Sequence, residues 1–120
     1  MKQIVAWVDA EMQERISREF VNSEIILVRS FSDFIKNVTD DSVNIISASN
    51  FNDFDTSGFI YEVAEFFKLK SNQKFHIFQY MEKDNSPLSC GVLSREKNVV
   101  DHMIFGDYCG TLQARIDAGL

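Results

Sequence analysis

Acids gathered at the ends of apolar segments are the residues of this chain best placed to do chemistry. Asp9 and Glu11 close the run IVAWVDAE, and Asp53 and Asp55 lie in the stretch NDFDTS. Carboxylates grouped in this way hold divalent cations, and beside a suitable cation they support phosphoryl transfer. The segment DFDTSGFI also matches the first half of a calcium loop, with Asp53, Asp55, Ser57, Gly58 and Ile60 at the expected spacing. The match then fails, because the bidentate Glu position falls on Ala64 and Glu65 comes one residue late. A polar loop in which Thr56 or Ser57 caps the next helix accounts for the same residues. The expectation is therefore no cofactor. A weak Mg²⁺ or Ca²⁺ site on Asp9, Glu11, Asp53 and Asp55 is the one metal set the sequence would support.

Other reactive side chains point to ordinary structural roles. Cys90 and Cys109 belong to no CxxC pair and no Cys/His cluster, so they read as reduced thiols. His76 and His102 have no Cys or acid at ligand spacing and read as structural or surface residues. Ser49, Ser57 and Ser89 lack the G-x-S-x-G context of a hydrolase nucleophile. No glycine-rich phosphate loop follows a strand, and Asp9-Ala10-Glu11 would repel a phosphate after the first one.

The elements that must position these residues alternate along the chain. Ile4 to Val8 is a short apolar run ending at Asp9 and reads as a buried strand. Glu11 to Val21 carries Met12, Ile16 and Phe20 four apart, the stripe of an amphipathic helix. Glu24 to Arg29 is a second strand. Ser30 or Ser32 then caps a short helix bearing Phe31, Phe34, Ile35 and Val38. Val43 to Ser47 is a third strand, Ala48 to Ser57 a polar loop, and Gly58 to Lys70 a helix with Phe59, Ile60, Val63, Ala64 and Phe67 on one face. Lys74 to Tyr80 is a fourth strand, and Met81 to Lys97 is polar and turn-rich, so a fourth helix there is expected to be short or irregular. Val99 to Phe105 supplies a fifth strand and Tyr108 to Ala118 a last helix.

Strands alternating with helices imply a parallel sheet covered on both faces. Right-handed crossovers make it a doubly wound three-layer α/β sandwich of flavodoxin-like layout. The expected strand order is 2-1-3-4-5, with the site at the carboxyl ends of strands 1 and 3. That rule selects Asp9 to Glu11 and Ser47 to Ser57. The 120 residues amount to one domain, 1–120. The net charge of −6, with no basic patch, argues against nucleic-acid binding by this domain. No apolar run reaches the ~20 residues of a membrane span, and the start MKQIVAWVDAE reads as neither signal peptide nor anchor, so the cytoplasm is expected.

In element order the chain resembles a receiver domain of two-component signalling. IVAWVDAEMQERI resembles the family's first strand, acidic cluster and first helix, and VDHMIFGDYCGTLQARI resembles its fifth strand, Lys-Pro turn and last helix. The resemblance implies a phosphorylation pocket, and most of that pocket is missing. Asp9 matches the first acid, but Ala10 falls where the direct metal ligand belongs, with Glu11 one step further on. Ser47 falls on the acceptor Asp, Gln79-Tyr80-Met81 lacks the small hydroxyl residue, and Phe105 falls on the Lys. A carboxylate attacks a phosphoryl group only when Mg²⁺ and a cation neutralise the converging charge. Phe105 cannot do that.

The resemblance therefore implies a degenerate pocket of Asp9, Glu11, Ser47, Tyr80 and Phe105 in a non-enzymatic pseudo-receiver that contacts protein partners. Its partner face would be the fifth strand and last helix, with His102, Phe105 and Tyr108 as interface aromatics and a homodimer as one form. Phe105 filling the vacated pocket as core is the competing reading. Two other functions stay open. One is a metal-, nucleotide- or flavin-binding enzyme on a flavodoxin-like fold, using Asp9, Glu11, Asp53 and Asp55. The other is a receiver phosphorylated at a noncanonical acid, Asp53 or Asp55.

Overall fold

A computed structural model describes residues 3–51, 57–80, 93, 95–104 and 112–119. The strands are β1 (Gln3–Trp7), β2 (Glu24–Leu27), β3 (Val43–Ser47), β4 (Phe75–Tyr80) and β5 (Val99–Ile104). The helices among the described residues are α1 (Ala10–Glu19), α2 (Phe31–Asn37), α3 (Ser57–Leu69) and α4 (Leu112–Gly119). The five strands form one sheet in the order β2-β1-β3-β4-β5, and every neighbouring pair is parallel. This is the flavodoxin-like layout expected from the alternation of elements.

The strands form because short apolar runs can be buried on both faces only inside such a sheet. Side chains alternate between the faces, so each strand feeds two cores. One core, between the sheet and α2 and α3, is aromatic. Trp7, Phe34, Phe51, Phe66, Phe67 and Phe75 are buried there, with Phe31 and Phe59 packed against them. Phe67 and Phe75 stack at 4.2 Å between centroids, and Trp7 meets Phe51 edge-on at 5.6 Å. Such pairs add about 1 kcal/mol each beyond the area they bury. The other core is mostly aliphatic. Ile4, Ala6 and Ile45 of the sheet meet Met12, Ile16 and Phe20 of the α1 segment and Leu112 and Ile116 of α4.

Helix ends fix where each element starts and stops. Asp9 caps α1 by accepting the Met12 N–H at 2.9 Å. Ser30, rather than Ser32, caps α2 by accepting the Asp33 N–H at 3.1 Å. The amide of Asn98 donates to the carbonyls of Phe67 and Lys70 at the end of α3. Glu19 joins the two helices of the aliphatic side. Its Oε2 accepts from Arg15 at 2.9 Å and its Oε1 accepts the Leu112 N–H at 2.7 Å. Asn44, the polar interruption in VNIIS, is fully buried and satisfied. It donates to the Lys74 carbonyl and accepts from the Ser42 hydroxyl.

One expectation changes. The loop after the third strand begins with a 3-10 turn, Ala48–Phe51, that buries Ala48 and Phe51. A single apolar residue within a polar run carries no period, so the sequence pattern missed it. The expected start of the last helix at Tyr108 lies outside the described residues, which resume at Leu112, and so does the fourth-helix region, residues 81–92.

Candidate functional site at the carboxyl ends of β1 and β3

The site selected by the strand order is held together by short polar contacts. The Asp9 N–H donates to the Ser47 hydroxyl at 3.1 Å. The Ser49 hydroxyl donates to Asp9 Oδ2 at 2.9 Å, while Asp9 Oδ1 accepts the Met12 N–H. Asn50 donates to the Trp7 carbonyl at 2.8 Å. β1 brings Asp9 to the rim and β3 brings Ser47, and the 3-10 turn folds Ser49 and Asn50 back over both. Ser47 is 2% exposed.

The arrangement is chemically quiet. Both Asp9 carboxylate oxygens accept hydrogen bonds from the chain, which fixes the orientation of the side chain. Ser47 spends its oxygen on a backbone donor, and among the described residues no histidine or lysine is hydrogen-bonded to it as a base. Glu11 lies exposed in the first turn of α1. Tyr80 ends β4, and its side chain lies outside the described residues, as do Asp53, Asp55, Phe105 and Tyr108. The structure thus brings Asp9 and Ser47 together. Ser49 and Asn50 lie in the selected stretch Ser47 to Ser57, but their contacts to β1 and Asp9 come only from the 3-10 turn, which the sequence pattern did not show.

The receiver resemblance would put a direct magnesium ligand at Ala10, which offers only a methyl group, and the Asp9 carboxylate accepts from the Met12 N–H and Ser49. Asp53 and Asp55, the other acids of the expected metal set, lie outside the described residues. Among the described residues no group of three or more His, Cys, Asp or Glu side chains is arranged to hold a metal ion.

A second polar group lies in the interior, on β4 and β5. His76 Nδ1 and His102 Nε2 are 3.0 Å apart, and the His102 ring stacks on Phe78 with centroids 4.4 Å apart. His76 is 1% and His102 6% exposed. His102 was expected on an exposed partner face; the pleat of β5 turns it into the α1/α4 side of the sheet beside Phe78. Burial lowers the pKa of both rings to about 4, helped at His76 by His102 and Lys74 and at His102 by Arg115. The pair is neutral at pH 7, one ring donating and the other accepting.

No family model, curated protein or solved structure matches this chain. Among the described residues no helix is long and apolar enough to cross a membrane.

Proposed function

We propose that this chain is a signalling module of receiver type that acts through protein contacts in the cytoplasm and not through aspartyl phosphorylation. The observation that carries the reading is the end of β3. The acceptor position holds Ser47, buried and bonded to the Asp9 N–H, so no carboxylate stands there to form an acyl phosphate. The surviving acid, Asp9, is used as a helix cap. Polar groups that a phosphotransfer site would keep open to ligand are here closed on each other. The partner is a protein, and the resemblance puts the contact on β5 and α4, with a second copy of the chain as one form.

The test is intact-mass spectrometry after incubation with Mg²⁺ and acetyl phosphate. The expected result is an unchanged mass. A stoichiometric phosphoryl adduct overturns the reading, and if it maps to Asp53 or Asp55 it establishes a displaced acceptor instead.

A further inference from the structure

A cleft of about 360 Å³ opens beside the closed cluster, at the carboxyl ends of β1 and β2. It is lined by Trp7, Val8, Gln13, Leu27, Arg29 and Asn50, among others. Its floor is the last rung of the β1/β2 ladder, where Ala6 pairs with Leu27 and the Val28 N–H donates to the Ala6 carbonyl at 2.9 Å. Beyond that rung the strands part, β1 into α1 and β2 toward α2, and the gap between them is the cleft. Its size is at the lower end of the range for small-molecule sites, and the carboxyl edge of a parallel sheet is where such sites form.

Its polar groups are unspent, unlike those of the neighbouring cluster. Among the described residues Arg29 has no ion pair and the Gln13 carboxamide has no hydrogen bond. Asn50 uses one amide hydrogen on the Trp7 carbonyl, which fixes the side chain and leaves its oxygen open. One guanidinium and two carboxamides therefore converge on a single concavity. An apolar side chain, Leu27, stands at its wall and is 43% exposed. We propose that this cleft binds a small organic monocarboxylate. Arg29 takes the carboxylate, which matches the planar fork of a guanidinium. Gln13 and Asn50 offer amide donors and acceptors to polar atoms beside it, and the ligand's apolar body covers Leu27. A monoanion matches Arg29, the one cation among the described residues of the lining, whereas a phosphomonoester dianion would leave a second negative charge uncompensated in a chain of net charge −6. The inference does not depend on the receiver reading, since none of these side chains takes part in phosphotransfer.

The experiment is an amide-resolved NMR titration of the 120-residue chain with isovalerate, benzoate, benzamide and phenyl phosphate, each to about 10 mM. Isovalerate or benzoate is expected to shift the amides of Val8, Gln13, Arg29 and Asn50 in a saturable way, with benzamide and phenyl phosphate weaker. Arg29→Gln, at an exposed position, is expected to keep the spectrum of the folded chain and weaken carboxylate binding about tenfold or more. Absence of a saturable shift with both carboxylates overturns the proposal. So does equal binding of benzamide, tighter binding of phenyl phosphate, or undiminished binding by Arg29→Gln.

Discussion

The cluster of Asp9, Ser47 and Ser49 and the pair of His76 and His102 lie on the same sheet, and their hydrogen bonds are completed in different ways. At the strand ends of β1 and β3, polar side chains meet backbone groups that the ladder and helix leave unpaired, the N–H groups of Asp9 and Met12. In the middle of β4 the ladders to β3 and β5 have already consumed the backbone, and the His76 imidazole bonds to that of His102 on β5. The difference teaches that a polar residue at a strand end is readily absorbed as a cap, whereas a buried one within a strand needs partners brought from outside its own ladder, as His76 and Asn44 both find.

Breaking the histidine pair should have the largest effect. His102→Ala removes the Phe78 stack and leaves His76 unpartnered, and it should cost about 3 kcal/mol in urea unfolding. The double variant His76→Leu/His102→Leu removes both polar groups and should cost less than the single one. A double variant less stable than His102→Ala would show that the pair is not held by mutual satisfaction.

The same pair makes stability depend on pH. Both rings have folded values near 4, below the ordinary 6.5, so the unfolded chain binds more protons between those limits. Their contribution is complete above pH 6.5 and is lost as the pH falls toward about 4, by at most about 1.4 kcal/mol per pH unit per histidine. Chemical denaturation at pH 7 and pH 5 should show this loss in the native chain and a smaller one in the double leucine variant. Equal losses would locate the titration elsewhere.

Smaller effects belong to the strand-end cluster. Asp9→Ala removes the cap of α1 and the acceptor of Ser49, and should cost about 1–2 kcal/mol, while Asp9→Asn, which still caps, should cost a few tenths. Ser47→Ala removes the acceptor of the Asp9 N–H and should cost about 1 kcal/mol. If Asp9→Ala were instead stabilising, Asp9 would be a strained functional acid and not a cap.

The strands were legible in the sequence because each is an apolar run too short for a helix, and β3 falls on Val43–Ser47 as read. Asp9 and Ser47 were legible as neighbours because the strand order brings the ends of β1 and β3 together. The contacts themselves were not. Ser49 reaches Asp9 only through the 3-10 turn, whose one large apolar residue, Phe51, carries no periodicity. The histidine pair depends on the register that sets Phe78 opposite His102, a long-range fact that neither KFHIFQY nor VVDHMIF contains alone. The cleft beside Arg29 was invisible for the same reason, since its walls come from β1, β2, α1 and the 3-10 turn together.

The most direct test of the closed strand-end pocket is an amide-resolved NMR titration of the chain with Mg²⁺ and then BeF₃⁻, a mimic of an acyl phosphate. The amide signals of Asp9, Ser47 and Ser49 are predicted to stay in place through both additions. A second, saturating set of signals for these residues, appearing only when Mg²⁺ and BeF₃⁻ are both present, would contradict the account.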